Sequence, residues 1–321
     1  MSVYVVTGGA GFIGSNIVAR LVADGQEVRV VDDLSTGRRE NLAGLEADVA
    51  FFEGSICDER LLAEALGGAD YVLHQAALPS VQRSVEQPLV SHTVNAEGTL
   101  KVLLAARDGG VRRVVYASSS SVYGDAEQLP KHEGMPPAPK SPYAASKLAG
   151  ELYCRVFNEV YGLETVCLRY FNVFGARQDP HSQYSAVIPI FISHILSGSS
   201  PSIFGDGEQS RDFTFVDDVV RANLLAADAE AAGGAVCNVG CGERHTLNEL
   251  YALLGEIMGR SIEPHYGPER AGDVKHSLAD VGRAGRLLGY EPQVSFAEGL
   301  RRTVEWYSSE TGVSGADDGR S

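Results

Sequence analysis

The sequence predicts an α/β protein in which a doubly wound parallel sheet carries a smaller C-terminal lobe. Three observations lead to this fold class. A glycine-rich turn joins the first strand to the first helix, strand and helix patterns alternate over the first 170 residues, and the alternation loosens afterwards. Sheets of this kind bind ligands at the carboxyl ends of their strands. We therefore expect a ligand cleft between that edge of the sheet and the second lobe.

The glycine-rich turn is the most informative stretch. Residues 3–6 predict a buried strand, and apolar residues at helical spacing predict a helix over 12–23. Glycines stand between them at positions 8, 9, 11 and 14. They permit positive φ and let a pyrophosphate approach the N–H groups that open the helix. A second strand, 28–31, leads to Asp32, about 20 residues on, where a ribose 2′-hydroxyl needs an acceptor. This Rossmann-type pattern predicts a bound dinucleotide, and Asp32 favours NAD over NADP.

The alternation continues along the first half of the chain. Ser141 and Pro142 are typical of a helix start, because serine caps free N–H groups and proline suits the first helical position. The predicted strands are 49–52, 71–74, 114–118 and 165–169, and the predicted helices are 59–66, 90–106 and 142–161. We assign residues 1–170 to the NAD-binding domain and expect later segments to return to it.

The second half has shorter elements separated by loops. Its predicted helices are 187–196, 217–227, 246–258 and 296–307, with a strand at 212–216. Residues 171–307 are expected to form mainly the substrate lobe. Residues 308–321 are rich in Ser, Gly and Asp and predict a disordered tail.

Composition excludes several classes of protein. The net charge of −15 argues against a nucleic-acid surface. No run approaches the ~20 apolar residues needed to cross a bilayer, and the chain starts directly in a strand, without the pattern of a signal peptide. The five cysteines are scattered and do not form a zinc-binding pattern. We expect a cytoplasmic protein with free thiols, no metal and no membrane or nucleic-acid partner.

A tyrosine and a lysine supply the candidate acid–base chemistry. Tyr143 and Lys147 are four residues apart on a predicted helix, so both can face the cleft. A free tyrosine titrates near ~10, and lowering its pKa by ~2 units requires about 3 kcal/mol of differential interaction. We expect the Lys147 ammonium to supply it. The preceding strand ends in the serines 118–121, whose hydroxyls can meet a substrate hydroxyl beside the cofactor.

Together the glycine turn, Asp32, the serines and Tyr143 with Lys147 resemble the extended short-chain dehydrogenase/reductase superfamily, over roughly residues 3 to 307. The segment 118–124, Ser-Ser-Ser-Ser-Val-Tyr-Gly, is similar to the nucleotide-sugar 4-epimerases. Counted back from Val-Tyr-Gly, the family's catalytic serine falls on Ser119, with Ser118 and Ser120 left open. The dehydratases and decarboxylating relatives carry acidic residues at this strand end, and this chain has serines there. The resemblance therefore implies oxidation and reduction at one carbon.

The resemblance implies a NAD site along the edge of the sheet. Most members of the family place an aspartate against the adenine where this chain has Ser55, so Ser55 or Asp58 is expected to take that role. The residues that we assign to NAD are Gly8, Gly11, Phe12, Ile13, Gly14, Asp32, Asp33, Ser35, Thr36, Gly37, Ser55, Ile56, Gln75, Ala76, Ala77, Asn95, Tyr143, Lys147, Tyr170 and Val173.

A substrate site is implied in the same way. Asn172 and Arg211 match residues that bind the diphosphate of the sugar nucleotide, Arg270 matches a second arginine on it, and Asp273 falls near the uridine ribose. Ser277 stands where galactose-restricted members carry a bulky tyrosine over the sugar C2 group, which leaves room for a 2-acetamido group. The residues that we assign to the substrate are Ser80, Ser119, Ser120, Tyr143, Asn172, Val187, Ile188, Phe204, Arg211, Arg270, Asp273 and Ser277.

These assignments predict an NAD-dependent epimerase acting at C4 of a UDP-hexose. Residues 76–84 are similar to the subgroup that acts on N-acetylated UDP-hexosamines, so UDP-N-acetylglucosamine and its galactosamine epimer are the expected substrates, with UDP-glucose and UDP-galactose as a further pair. A UDP-glucuronate 4-epimerase and a catalytically silent NAD-binding regulatory protein are the alternatives. The family commonly forms homodimers through helices that match 90–106 and 142–161. These offer Leu100, Leu103, Leu104, Leu148, Leu152 and Phe157, some of which must face the protomer's own sheet.

Overall fold

The computed structural model of the chain describes residues 1–180, 186–268 and 275–311. Its strands are β1 Val3–Thr7, β2 Glu27–Asp32, β3 Val49–Glu53, β4 Tyr71–His74, β5 Arg113–Ser119, β6 Glu164–Tyr170, β7 Val173–Phe174, β8 Ser202–Phe204, β9 Ser210–Arg211, β10 Thr214–Phe215, β11 Ala235–Val239, β12 His245–Thr246 and β13 His265–Gly267. Its α-helices are α1 Phe12–Ala23, α2 Glu59–Leu66, α3 Val81–Glu86, α4 Pro88–His92, α5 Gly98–Asp108, α6 Pro142–Tyr161, α7 Val187–Ser197, α8 Val216–Asp228, α9 Leu247–Met258, α10 Gly282–Leu288 and α11 Phe296–Thr311.

Seven parallel strands form the central sheet in the order β11-β6-β5-β4-β1-β2-β3. The chain runs outwards in one direction from β1 through β2 to β3, and in the other from β4 through β5 and β6 to β11. The strand order thus reverses between β1 and β4, which is the topological switch point where doubly wound sheets bind ligands. The predicted α/β class and Rossmann-type parallel sheet are confirmed.

Alternating side chains on the strands bury both faces of the sheet. Val5 and Val31 pack with α2, α5 and α6, whereas their neighbours Val6 and Val30 pack with α1 and α8 on the other face. Successive strand residues point to opposite faces, so continuous apolar runs are what a sheet covered on both sides requires. This double burial fixes the strand ends that carry the cleft.

The helix α6 begins as its sequence predicts. The Ser141 hydroxyl accepts a hydrogen bond from the N–H of Ala144 (3.1 Å), and Pro142 is the first helical residue. Gly162 ends the helix at φ +70°, the left-handed conformation that glycine adopts without a Cβ penalty. The helix packs against β5 and β6, which places its first turn beside the carboxyl end of β5.

The structure differs from the sequence prediction at three places in the second half. The strand β11, which joins β6 at the sheet edge, is not among the predicted strands. Of the predicted strand 212–216, only Thr214–Phe215 forms a strand, β10; β9 precedes the predicted range and pairs with a different partner, and the intervening Asp212 and Phe213 are buried. The helix α11 continues to Thr311, so the expectation of a disordered tail is wrong for residues 308–311. Residues 312–321 lie outside the described part of the chain.

Most of the residues expected at the dimer face pack inside the protomer. Leu103 and Phe157 are buried in the protomer's own core, and Leu100, Leu104 and Leu148 are partly buried against it. The helix predicted over 90–106 is divided into α4, a π-helical turn at Thr93–Glu97 and α5. Of the six residues proposed for the interface, Leu152 is the exposed one.

Several elements of the second half pack together. The helices α7, α9 and α11 contact one another, and the short strands of this half pair as β9–β12 and β8–β13. The strand β11 and the helix α8 instead pack with the sheet, α8 lying against α1, β5 and β6. Within residues 1–180, 186–268 and 275–311, no helix combines the length and the apolar content needed to span a bilayer.

Candidate active site

A cleft with about 950 Å³ of open space lies at the switch point. The glycine turn, the ends of β2, β4, β5 and β6, and the first turns of α6 line it. The residues assigned to NAD that line the cleft are Gly8, Gly11, Phe12, Ile13, Gly14, Asp32, Asp33, Ser35, Thr36, Ile56, Gln75, Ala76, Ala77, Tyr143, Lys147 and Tyr170. Residues not assigned from the sequence that also line it are Val31, Gly54, Leu78, Pro79, Val94, Ala117 and Ser118.

The glycine turn has the shape of a pyrophosphate cradle. Gly8 has φ +69°, and a Cβ there would lie 2.7 Å from the N of Ala76. A Cβ on Gly14 would lie 2.1 Å from the carbonyl oxygen of Gly8, so only glycine permits α1 to approach β1 this closely. Gly11 is the N-cap residue of α1 and provides no capping side chain. The first-turn N–H groups and the positive helix end therefore face the cleft, which suits a dinucleotide pyrophosphate.

Asp32 is held rigidly at the end of β2. Its two oxygens accept hydrogen bonds from the N–H groups of Ala10 (2.9 Å) and Leu34 (2.8 Å). Burial raises the pKa of this carboxyl, and these two hydrogen bonds lower it in part. A Cβ on Gly37 would lie 2.9 Å from both Asp32 oxygens, so Gly37 keeps that space free without lining the cleft itself. The geometry suits a carboxylate that accepts from a ribose hydroxyl.

Three other residues assigned to NAD are not among those lining the cleft. The Ser55 hydroxyl accepts from the N–H of Cys57 (3.2 Å), and Val173 lies in the strand β7. Asn95 is buried, and its side chain holds both backbone groups of Leu78. The alternative adenine partner, Asp58, caps the first turn of α2. The roles assigned to these residues remain predictions.

Tyr143 and Lys147 both line the cleft, as their spacing predicts. The Lys147 Nζ donates to the carbonyl oxygen of Ala117 (2.8 Å) and lies 6.0 Å from the centroid of the Tyr143 ring. Burial lowers the pKa of Lys147 to about 8. Burial also raises the pKa of Tyr143, and a hydrogen bond with Ser119 lowers it in part. In the protein alone, desolvation of the phenol therefore outweighs the ammonium, which is directed at Ala117, and the tuning of Tyr143 by Lys147 stays a prediction.

The serines at the end of β5 have different partners. The Ser118 hydroxyl donates to the Glu151 carboxylate (2.5 Å), although Ser118 lines the cleft. The Ser119 hydroxyl accepts from the N–H of Ser121 (3.1 Å), and Ser119 lowers the pKa of Tyr143 in part. Ser120 begins a 3-10 turn. A serine that favours the ionised form of the candidate base is the better candidate for catalysis, which favours Ser119.

Buried side chains that the sequence analysis did not assign support the cleft. Glu151 forms an ion pair with Arg169 (2.7 Å), and both are almost fully buried. Glu151 follows Lys147 by four residues on α6, so the recurrence of polar residues on one face was an available signal. The buried Asn223 of α8 donates to the Tyr170 hydroxyl (2.8 Å), and the Gln75 amide donates to the Asn223 oxygen (3.0 Å).

His74 is a structural residue. Its ring nitrogens lie 2.6 Å from the Thr7 hydroxyl and 3.0 Å from the Thr99 hydroxyl. Burial, followed by the charge of Lys147, lowers its pKa to about 3, so the ring is neutral at physiological pH. This agrees with its position at the end of a buried strand.

Three of the residues assigned to the substrate, Asn172, Arg211 and Ser277, lie close together in the second half. The Ser277 hydroxyl lies 3.4 Å from the amide oxygen of Asn172, a residue with φ +20°. Arg211 lies in β9, one strand position from the backbone bonds that join Ser210 to Ser277. Arg270 and Asp273, the predicted second arginine and ribose contact, lie outside the described residues.

The remaining residues assigned to the substrate are placed less directly. Ser80 caps α3 by accepting from the N–H of Arg83 (3.0 Å). Val187 and Ile188 begin α7, but the Ile188 side chain is buried in the core. Phe204 ends β8, beside β13. Among the described residues, no group of three or more His, Cys, Asp or Glu is arranged to hold a metal ion.

Comparisons with known proteins agree with this geometry. Residues 4–240 match the model of the NAD dependent epimerase/dehydratase family. The chain is 44% identical over 312 residues to a UDP-glucose 4-epimerase of Mycolicibacterium smegmatis, covering 95% of this chain and 98% of that protein. The structure of a UDP-N-acetylglucosamine 4-epimerase from Methanobrevibacter ruminantium in complex with UDP-N-acetylmuramic acid is 43% identical with a TM-score of 0.93, covering 96% of this chain and 99% of that one.

A UDP-glucose 4-epimerase from Thermotoga maritima, solved with UDP-glucose, is 42% identical with a TM-score of 0.92, covering 96% of this chain and 99% of that one. The glycine cradle, the rigid acid at the end of β2 and the paired tyrosine and lysine fit the cofactor that the family model names. The chain therefore belongs to the NAD dependent epimerase/dehydratase family, as an enzyme of its UDP-sugar 4-epimerase group with NAD as its cofactor.

Proposed function

We propose that the protein interconverts UDP-N-acetylglucosamine and UDP-N-acetylgalactosamine, and that UDP-glucose and UDP-galactose form a second, smaller substrate pair. The observation that carries the proposal is the small side chain of Ser277, whose hydroxyl lies 3.4 Å from the amide oxygen of Asn172. A serine at this point leaves space beside the proposed diphosphate site. A 2-acetamido group needs that space, whereas a 2-hydroxyl group does not.

The cofactor site is proposed to follow the cleft from the glycine turn to Tyr143. Gly8, Gly11 and Gly14 would hold the pyrophosphate, Asp32 the adenosine ribose, and Lys147 the nicotinamide ribose. Held there, NAD would supply the acceptor and donor of the hydride of C4, so that no net oxidation would occur. The fit rests on the glycine cradle, where a Cβ on Gly8 or Gly14 would collide with the backbone of Ala76 or of Gly8 and prevent the turn from closing.

The side chains of the chain move the proton. Tyr143 takes the proton of the 4-hydroxyl as hydride leaves C4, and it returns a proton when the hydride is given back. Ser119 hydrogen-bonds the same oxygen and the phenol, which keeps the two aligned. Burial raises the pKa of Tyr143, and the Lys147 ammonium, which lies 6.0 Å from the centroid of its ring, would favour the phenolate and oppose that rise. The 4-keto sugar turns about its diphosphate and receives hydride on the other face.

Asn172, Arg211 and Arg270 are proposed to hold the diphosphate during that turn. Guanidinium groups pair with phosphate oxygens through two hydrogen bonds, which fixes one end of the substrate while the sugar rotates. Asp273 is proposed to bind the uridine ribose. We also propose that the protein is a homodimer. The five cysteines are free thiols, which supports a reducing compartment such as the cytoplasm.

A panel of UDP-sugars tests the proposed substrate. Purified protein, without added NAD, should turn over the N-acetylated pair with the highest kcat/KM. Faster turnover of UDP-glucuronate would replace the proposal with a UDP-glucuronate 4-epimerase. An absence of turnover on every sugar would favour the NAD-binding regulatory protein.

The variant Ser277→Tyr tests the role of the pocket. A tyrosine should fill the acetamido space, and overpacking of this kind costs about 1–3 kcal/mol, or roughly tenfold to a hundredfold in kcat/KM. We expect that loss on the N-acetylated substrates and much less on UDP-glucose and UDP-galactose. The control is Ser202→Tyr, on an exposed position of β8, which should leave the ratio of the two kcat/KM values unchanged. An unchanged ratio in Ser277→Tyr would mean that Ser277 does not line the sugar pocket.

A further inference from the structure

A buried carboxylate lies directly after Arg211. Asp212 is fully buried, and three backbone N–H groups donate to it. Oδ1 accepts from Cys241 (2.8 Å), and Oδ2 accepts from Gly242 (3.0 Å) and Ala279 (3.0 Å). Burial raises the pKa of Asp212 to about 6, so the side chain is ionised at neutral pH and all three donors face a negative charge. The structure therefore concentrates three charge-assisted hydrogen bonds on one side chain.

The donors belong to two segments that flank β9. On one side, β9 pairs with β12, which follows Gly242 by three residues. On the other side, Ser210 donates to the carbonyl oxygen of Lys275 (3.0 Å) and accepts from the N–H of Ser277 (3.0 Å). Asp212 thus joins the segment of Arg211 to the segments 241–246 and 275–279. The three segments therefore meet at the Asp212 carboxylate.

We propose that Asp212 is the positioning residue of the substrate side, and that it sets the spacing between Arg211 and the segment of Ser277, which reaches Asn172. The inference rests on the proposed function, in which these residues bind the diphosphate and the sugar. Asp212 itself does not reach the substrate, because its carboxylate is enclosed by the N–H groups that it accepts. Its effect on binding passes through the backbone of its neighbours.

The packing around Asp212 leaves little freedom for another arrangement. A Cβ added to Gly240 would lie 3.0 Å from Oδ2 of Asp212 and 2.6 Å from the Cβ of Ala279. A well-packed junction transmits small changes in one side chain to its neighbours instead of absorbing them. Replacing the carboxylate by an amide keeps the size but removes one acceptor oxygen and turns an NH₂ group towards an N–H donor. At least one of the three N–H groups then loses its partner.

The variant Asp212→Asn tests the inference, with Asp218→Asn as the matched control. Asp218 is also buried, and its carboxylate accepts from the N–H groups of Gln293 (2.8 Å) and Val294 (3.2 Å) and pairs with Arg221 (3.7 Å), none of which belongs to the segments that flank β9. We expect the Kd of UDP, measured by titration calorimetry, to rise at least tenfold in Asp212→Asn and to change less than threefold in Asp218→Asn. The KM of the UDP-sugar should rise with it, while kcat and the content of bound NAD stay within about threefold of the wild type. Equal Kd values in the two variants would overturn the inference.

Amide hydrogen exchange of the wild-type protein provides a measurement that does not depend on a variant folding. The N–H groups of Cys241, Gly242 and Ala279 should be protected, and UDP should slow their exchange further. Exchange as fast as in an exposed loop, or unchanged by saturating UDP, would overturn the inference. UDP binding is measured apart from turnover. A protein that binds UDP and turns over no UDP-sugar would therefore contradict the proposed function while leaving this test intact.

Discussion

At the scale of single residues, the serines that end β5 divide two tasks between neighbouring hydroxyl groups. Ser118 donates to Glu151, which is already paired with Arg169, so Ser118 belongs to the support of the sheet end. Ser119 instead lowers the pKa of Tyr143 in part. The sequence alone left three serines open because neighbouring positions in one run cannot be separated by spacing. The partner of each hydroxyl separates them.

The variants Ser119→Ala and Ser118→Ala are a matched pair. Loss of acid–base assistance typically costs 10²–10⁴-fold in rate, and we expect Ser119→Ala to lower kcat by about 10²-fold or more with NAD still bound. Ser118→Ala should lower the stability of the protein and leave kcat within about tenfold. Measurement of kcat at saturating substrate decides between them. The opposite pattern would transfer the catalytic role to Ser118.

His74 gives the protein a pH-dependent stability. The folded protein holds this ring neutral, with a pKa of about 3, whereas the unfolded chain binds a proton near the ordinary value of ~6.5. Below that value the unfolded state therefore carries more protons, and the free energy of unfolding falls as the pH falls. From pH 7 to pH 5 the loss due to this group is about 2 kcal/mol.

The variant His74→Gln removes the titration and keeps a side chain able to donate and accept. Urea unfolding at the two pH values should show a smaller pH-dependent loss in this variant than in the wild type. The comparison is between slopes, so a lower stability of the variant at both pH values does not affect it. Equal slopes would show that His74 is protonated in the folded protein.

At the scale of elements, the approach of α1 to β1 depends on glycine. A Cβ on Gly14 would lie 2.1 Å from the carbonyl oxygen of Gly8, and neither backbone segment can move away without disturbing the cradle. Gly14→Ala should destabilise the protein by about 1–3 kcal/mol, the usual cost of inserting an extra methyl group into a packed region. It should also lower the content of bound NAD. Gly285→Ala is the control. Gly285 lies within α10, and its Cβ would lie 3.5 Å from the carbonyl oxygen of Tyr290, an ordinary contact, so this variant should be neutral or stabilise by up to ~1 kcal/mol. Thermal unfolding and NAD release would measure both, and a fully NAD-loaded Gly14→Ala protein would contradict the cradle.

The elements that the sequence predicts well are those with local signals. The helix α6 has its own cap and proline, and the glycine turn has a strand before it and a helix after it. The strand β11 has no such signal, because Ala-Val-Cys-Asn-Val is short and its partner β6 lies about 70 residues earlier. The break between β9 and β10 lies at Asp212 and Phe213, where the Asp212 carboxylate accepts tertiary hydrogen bonds that no local pattern predicts. Likewise, Asn223 contacts Gln75 and Tyr170 because α8 folds back onto the sheet.

At the scale of the whole molecule, charge is distributed unevenly. The chain carries a net charge of −15, but the proposed diphosphate side is locally basic. The pKa of His276 is lowered by burial and then by the charges of Arg244, Lys275 and Arg211. Local positive potential beside a cleft can attract an anionic ligand to an acidic protein. A net charge that excludes nucleic acid is therefore compatible with a diphosphate substrate.

The proposed homodimer is a property of the whole molecule. The exposed apolar side chains that could form its contact differ from those expected from the sequence. The helices α3 and α4 pack against α6, and the three helices together expose nine large apolar side chains. Such a concentration is unusual for a monomer. The exposed members are Val81, Val85, Leu89, Val90, Leu152, Tyr153, Val156, Val160 and Tyr161. The arrangement supports an isologous contact, in which the same face of a second copy covers these side chains.

Charged substitutions on this face test the dimer. Sedimentation of the wild type at micromolar concentration should give twice the mass of the chain, and the double variant Leu89→Glu with Val156→Glu should give a monomer, because two like charges would then be buried in each half of the contact. The control is Tyr266→Glu, which replaces an exposed large side chain on β13 and should leave the mass unchanged. A wild-type monomer would contradict the dimer, whereas a dimeric double variant would place the contact on a different face. If the contact restrains α6, the monomeric variant should also lose kcat, since Tyr143 and Lys147 lie in the first turns of that helix.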